Sequence, residues 1–307
     1  MRRDVPERGE LTVLPADSHV HSEWSWDSAL VGSMERTCAR AVELGLPAIA
    51  FTEHVDHTVW QVPLDIVNPD DRIAVLAAPD GSLTPPVFDA AGYLASIERC
   101  RERFPDLRIL SGMELGEPHL HATAAAALLS TGRFDRVLGS VHCVADGSGF
   151  TEPFALYRRH PAADVVRRYL DEVARLVRGS DLFSVLAHID YPVRSWPMRS
   201  GPSDPYAYSM GSGSAPFDPY SFEEEFRHVL RLLADSGRAL EVNTKVPLHP
   251  EIVGWWRDEG GRAVTFGSDA HVPAVLAHGF AEAVAMVEAY GFRPGRHSYD
   301  FWTRPGR

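Results

Sequence analysis

Near the start of the chain, His19 and His21 stand two residues apart in DSHVHSEWSWDS, and Asp27 follows in the same stretch. Alternate residues of a strand point to one face, so two imidazoles at that spacing can converge on one point. Neutral imidazole is the commonest protein ligand for a metal near neutral pH. The same kinds of group recur further on: His54 in TEH, Glu114 in GMELGE, His142 in GSVHC, His188 in LAHID, Asn243 and Lys245 in EVNTK, and Asp269 with His271 in FGSDAH. Six imidazoles with the carboxylates of Asp27, Glu114 and Asp269 offer more nitrogen and oxygen donors than one ion can take. They suit two or three ions, with a carboxylate such as Glu114 able to bridge. Imidazole with carboxylate favours Zn, Mn or Fe, and without thiolate ligands the choice among these stays open.

Each of these groups follows a short apolar run. Such runs predict strands over residues 16–20, 48–52, 108–112, 137–141, 183–187, 239–242 and 263–266. Between and after them, apolar residues at three- and four-residue spacing predict helices over 33–44, 90–103, 121–130, 163–177, 221–236, 250–258 and 273–290. Alternating strands and helices argue for parallel βαβ units. Seven units suggest a barrel, with an open doubly wound sheet as the alternative that counting alone leaves. In a parallel barrel the carboxyl ends of the strands are where active sites are built. Two stretches break the rhythm, 54–89 and the Gly-, Ser- and Pro-rich 196–219, and both read as surface loops within a single domain spanning 1–307.

The bulk properties narrow the function. The chain of 307 residues carries a net charge of −12, which opposes broad binding to nucleic acid or to an anionic membrane. Three widely spaced cysteines give no disulfide framework, which points to a reducing cytoplasm. The charged amino terminus does not resemble a secretory signal, and no apolar run approaches the roughly 18 residues of a membrane span.

The ordered set HVH, TEH, GMELG, GSVH, AHID, EVNTK and GSDAH resembles the PHP family (polymerase and histidinol phosphatase), and within it the histidinol-phosphatase-like branch. The resemblance implies an α/β fold, a distorted (β/α)7 TIM-like barrel holding a trinuclear metal centre at the carboxyl ends of its strands. Carried across by motif, it assigns His19, His21, Glu114 and Asp269 to one ion. A second ion shares Glu114 and adds His142 and His188, and a third takes Asp27, His54 and His271. Asp27 stands where the family often has histidine. The segment after EVNT departs as well, with Lys245-Val-Pro-Leu in place of a basic, glycine-containing stretch.

The resemblance implies hydrolysis of a small phosphate monoester, with L-histidinol phosphate as the leading substrate. Two or three divalent ions against three carboxylates leave a positive cavity, and bound metal can acidify water at neutral pH. Lys245, Arg158 and Arg194 are placed by sequence to clamp the phosphate. Glu53, Asp190 and Glu117 are candidate acceptors that fix the imidazole tautomers. Another PHP phosphoesterase acting on a nucleotide or small phosphodiester is the nearest rival. A two-metal amidohydrolase is disfavoured because the only lysine follows the sixth strand. A non-catalytic barrel is disfavoured because all nine ligand positions are filled.

Overall fold

The computed structural model describes residues 14–197 and 215–305. Seven parallel strands form its centre: β1 (Asp17–Val20), β2 (Ala48–Val55), β3 (Arg108–Gly116), β4 (Arg136–Ser140), β5 (Val185–Leu186), β6 (Ala239–Asn243) and β7 (Ala263–Gly267). They are neighbours in that order, and β1 pairs with β7, so the sheet closes into a barrel. One main helix follows each strand: α1 (Met34–Leu44), α2 (Ala90–Arg103), α3 (Ala122–Leu129), α4 (Ala162–Gly179), α5 (Glu223–Asp235), α6 (Pro250–Asp258) and α7 (Phe280–Ala289). This is the distorted (β/α)7 barrel that the family resemblance implies, and closure excludes the open doubly wound sheet that counting alone left. No helix among the described residues is long and apolar enough to cross a membrane.

Alternation along the strands sorts the side chains. In β2, Ile49 and Phe51 pack outward with Met34, Cys38 and Ala41 of α1 and Tyr93 and Ile97 of α2. Ala50, Thr52 and His54 therefore face the barrel interior. On the far side, Leu240 and Val242 of β6 and Val264 and Phe266 of β7 share one large cluster with Phe226 and Leu230 of α5. α4 adds Val165, Tyr169, Leu170 and Val173 to the same cluster, an apolar stripe at helical spacing. The interior positions at the carboxyl end are thus left to polar residues.

Several elements depart from the sequence expectation. β2 and β3 pair without interruption from Ala48↔Arg108 to Val55↔Leu115, so His54 and Glu114 lie within strands instead of after them. Residues 54–89 are not a plain surface loop. Trp60–Gln61 pairs with Ser82–Leu83, a short helix spans Arg72–Leu76, and Trp60, Val62, Val67 and Leu83 form a small core with Cys143. The helix expected over 273–290 is broken. A 3-10 turn covers Pro273–Val275, and α7 begins only at Phe280. The break falls where Ala277 and Gly279 both adopt left-handed backbone, with φ of 53° and 68°. The surface loop expected over 196–219 falls largely on residues 198–214, outside those described.

Closure rests on a thin seam. β1 and β7 share the pair Asp17↔Phe266, and beyond the strands Val20 bridges Ala270. Asp17 reinforces it from within. Its buried carboxylate accepts the Ser268 N–H and the Ala277 N–H, each at 3.0 Å, which also explains why the chain turns at Ala277. Burial, only partly offset by these bonds, raises the Asp17 pKa to about 6. Asp17→Ala would strand two N–H groups, each costing about 1–3 kcal/mol. Its urea midpoint is expected to report a loss of roughly 2–4 kcal/mol. A loss below about 0.5 kcal/mol would mean that the seam closes without it.

Candidate metal centre

Glu114, inward-facing near the end of β3, is the hub. Its Oε2 lies 3.2 Å from His19 Nε2, 3.5 Å from His21 Nε2 and 3.1 Å from His54 Nδ1. Its Oε1 lies 3.2 Å from His142 Nε2 and 2.7 Å from His188 Nε2. Five imidazoles therefore surround one buried carboxylate. To one side, Asp27 Oδ2 approaches His271 Nε2 at 2.9 Å and His54 Nε2 at 3.5 Å. Asp269, after β7, stands 3.6 Å from His21 Nε2. All nine residues expected as ligands thus lie in one connected cluster.

The imidazoles are held by groups that fix which nitrogen faces inward. His19 Nδ1 contacts Glu241 Oε1 at 2.6 Å, and His142 Nδ1 contacts Asp56 Oδ1 at 2.9 Å. A carboxylate only accepts, so both Nδ1 atoms carry the proton. His21 Nδ1 meets Ser25 Oγ at 2.9 Å, and the Ser25 hydroxyl donates to Glu53 Oε2 at 2.6 Å. With its own proton committed to Glu53, Ser25 accepts from His21. Space for the two carboxylates comes from glycine. A Cβ on Gly267 would stand 2.0 Å from Glu241 Oε1, and one on Gly116 would stand 2.0 Å from Asp56 Oδ1.

This arrangement aims bare nitrogen lone pairs at one another. His19 Nε2 and His21 Nε2 are only 3.0 Å apart. Two neutral lone pairs at that distance repel unless positive charge lies between them. Three buried polar atoms of the cluster also have no hydrogen-bond partner among the described residues: Asp27 Oδ1, His54 Nδ1 and His188 Nδ1. Four groups have donor atoms within 4.8 Å of one another and could each hold an ion: His19-His21-Glu114, Glu114-His142-His188, His21-His54-His271 and His54-Asp56-His142. Nitrogen and oxygen donors of this kind fit Zn or a similar divalent ion.

Without metal, protons must do the neutralising. Burial opposes charge on His142, but Glu114 and Asp56 outweigh it and raise its pKa to about 10. Burial likewise opposes charge on His19, yet Glu241 and Glu114 hold it well above the ordinary histidine value. His188 goes the other way: burial lowers it to about 4 against the pull of Glu114.

The remaining sequence candidates fall into different places. Arg194 and Lys245 reach the cluster through Asp269. Arg194 donates to Oδ2 at 2.5 Å, and the Lys245 ammonium donates to Oδ1 at 3.1 Å. A metal ion would compete with both cations for Asp269. Arg158 does not reach the cavity. It pairs with Asp65 at 2.6 Å on the outer surface, because the short helix that precedes it turns that side of the chain away. None of the three expected acceptors touches an imidazole. Glu53 acts through Ser25, and Glu117 accepts the backbone N–H groups of His142 and Cys143. The Asp190 carboxylate is buried and makes no hydrogen bond to an imidazole; burial raises its pKa to about 6 against the field of Arg194. Their place is taken by Glu241, Asp56 and Ser25. Two of these had a legible signal: Asp56 lies two residues after His54 and Glu241 two before Asn243, on the same faces. Nothing local marked Ser25.

Two measurements test this geometry. In chelator-treated protein at pH 7, long-range proton–nitrogen correlation spectra should show His142 doubly protonated and His188 neutral. A neutral His142 would contradict its contact with two carboxylates. The stability that His142 lends to the metal-free fold is present below its unfolded pKa of about 6.5 and is lost as pH rises through about 10. Separately, Glu241→Gln and Asp56→Asn should each weaken zinc affinity by roughly 10–100-fold, the usual effect of removing an imidazole's acceptor. Unchanged affinity in both would mean that the tautomers are fixed by other contacts.

Known proteins resemble this chain over most of its length. The family model of the PHP domain matches residues 17–245, ending at Lys245 before β7. The histidinol-phosphatase of Lactococcus lactis subsp. lactis is 25% identical over 264 residues, covering 83% of this chain and 84% of that protein. A probable histidinol-phosphatase of Clostridium acetobutylicum is 24% identical over 289 residues, covering 91% of this chain and 94% of that one. The crystal structure of the Lactococcus lactis histidinol phosphate phosphatase, complexed with zinc, L-histidinol and phosphate, aligns at a TM-score of 0.71 with 20% identity. That alignment takes in 94% of this chain and 98% of the other, and at such identity it speaks for the fold. With the family match running from the first strand through the sixth, the chain belongs to the PHP domain family.

Proposed function

We propose that this protein is a metal-dependent phosphoric monoester hydrolase that cleaves L-histidinol phosphate to L-histidinol and phosphate. The observation that carries the reading is the ring of five imidazoles around Glu114, open to a cavity of about 230 Å³ that Arg194 and Lys245 also line. The histidinol phosphatases among its relatives, aligned over most of both chains, support the substrate. The zinc in the Lactococcus lactis structure makes zinc the first metal to try. We infer two to three ions, with His19, His21 and Glu114 holding one and Glu114, His142 and His188 another. His54 and His271, with Asp27, supply the donors for a third. Such ions, when bound, supply Lewis-acid stabilisation of phosphoryl oxygens and an acidified water.

The chain's own residues supply the rest. Glu241, Asp56 and Ser25 keep the imidazole protons pointing away from the cavity. Arg194 and Lys245 bring positive charge to the rim, where phosphoryl oxygens would enter. Arg194 is fixed by stacking on Tyr191, with its guanidinium carbon 4.8 Å from the ring centre. Lys245 is more exposed and serves as a point charge, which cannot bind bidentately as arginine does. All three cysteines are free, which fits the cytoplasmic location we assign.

Phosphate release from a panel of esters tests the reading. The panel includes L-histidinol phosphate, a nucleoside monophosphate and a small phosphodiester. Turnover of the histidinol ester should dominate, stop with chelator and return with zinc or manganese. Dominant turnover of the diester would instead favour the phosphodiesterase reading. Glu114→Gln should remove metal and activity together while the fold persists. Lys245→Ala should keep its metal and lose roughly 10–100-fold in kcat/KM, about 1.4–2.7 kcal/mol. Parent-like turnover in Lys245→Ala would leave the phosphate clamp to Arg194.

A further inference from the structure

The cavity is electrically two-sided. Its Asp269 side carries the cations Arg194 and Lys245. Glu152, at the start of the short helix Pro153–Leu156, lines the same cavity and lies beyond Tyr191 from Arg194. Among the described residues, Glu152 forms no ion pair. Its side chain has one hydrogen bond there, accepted from the Tyr191 hydroxyl at 3.4 Å. Every other carboxylate lining this cavity is engaged: Asp27 with His271, Asp56 with His142 and Trp26, Glu117 with backbone N–H groups, and Asp269 with both cations. Burial, only partly offset by the field of His142 and the Tyr191 hydroxyl, raises the Glu152 pKa to about 7.

Tyr191 separates the two ends. Arg194 stacks on its face, and Glu152 meets its hydroxyl edge. Its ring also lies 4.9 Å from that of His188 and 5.7 Å from that of His142, so it borders the metal ligands. The cavity's apolar and aromatic lining includes Trp60, Ile73 and Cys143. Trp60 and Ile73 come from the folded segment between β2 and α2, and that segment gives the cavity part of its enclosure. A carboxylate left unpaired in such a wall is destabilised until a cation reaches it. A ligand whose phosphate lies among the imidazoles would extend its other end along Tyr191 toward this carboxylate.

We propose that Glu152 is a specificity-determining residue that receives a cationic group, an ammonium or imidazolium, on the alcohol part of the substrate. The proposal rests on the phosphatase reading above and adds to it the contact that selects the alcohol. It predicts discrimination by charge at a point remote from phosphorus. A site built to pair a charged group rejects an analogue that lacks it, because the partner is then left buried and unpaired.

The test compares L-histidinol phosphate with 3-phenylpropyl phosphate, an ester of a neutral alcohol of similar length, using the zinc-loaded protein and Glu152→Gln. The parent should favour the cationic ester. Glu152→Gln should reduce the ratio of the two kcat/KM values by roughly 10–100-fold, mostly through KM, with zinc content unchanged. A ratio within about twofold of the parent would overturn the assignment. Should the variant fail to fold, inhibition of the parent decides. L-Histidinol should inhibit at least roughly tenfold more tightly than 3-phenylpropanol, and equal inhibition would overturn the proposal. If the zinc-loaded parent hydrolyses neither ester, the phosphatase reading fails. Calorimetry with L-histidinol then tests Glu152 alone: roughly tenfold weaker binding to the variant supports it, and equal binding overturns it.

Discussion

Everything at the mouth of this barrel answers to one electrostatic constraint: five imidazoles converge on the buried Glu114 carboxylate, and those of His19, His21 and His142 are held with their Nδ1 protons turned outward. Nothing in a protein's own repertoire makes that arrangement favourable without added positive charge. Protons on His19 and His142 supply it in the metal-free molecule, and divalent ions would supply it better. The constraint reaches outward to the residues that hold each ring. Glu241 and Asp56 must stay ionised and close, so Gly267 and Gly116 must stay without side chains. Ser25 must point its proton at Glu53, so that carboxylate is buried where only hydroxyl and amide donors reach it.

A barrel suits this task because it separates stability from chemistry. The outward residues of β2, β6 and β7 pack under helices in large apolar clusters, and those contacts do not involve the site. The inward residues at the carboxyl end are then free to be polar. The arrangement has a weak point at the β1–β7 seam, where few backbone pairs close the sheet and Asp17 ties the strand ends together. The seam also carries His19, His21 and Asp269, so closing the barrel brings these donors side by side.

The cavity above the cluster has its own polarity. Arg194, Lys245 and Glu152 all line it with aromatic side chains, and Tyr191 touches both Arg194 and Glu152. The segment between β2 and α2 contributes Trp60 and Ile73 to its wall. It closes one side of a mouth that the bare barrel would leave open. The donor cluster and the wall therefore come from different parts of the chain: the cluster from strand ends, and the wall from the connections between them.

The sequence by itself determined the strand–helix rhythm, the number of parallel units and the donors at their ends. These follow from local periodicity and from the rule that side chains alternate along a strand. Motif order then pointed to the family. Local pattern could not show the extra length of β2 and β3, because uninterrupted pairing between them carries the strands past their apolar runs. It could not show the break before α7, which depends on Asp17 holding the Ala277 N–H from far away in sequence. It placed Arg158 near the phosphate because that residue follows a strand and a ligand, whereas the intervening short elements turn it toward Asp65. The partners of the imidazoles were decided only in three dimensions. Glu241 lies 222 residues from His19, and Asp56 lies 86 from His142. Such pairs meet because parallel strands bring their ends to one rim, and spacing along a single chain does not encode which rim neighbours will touch.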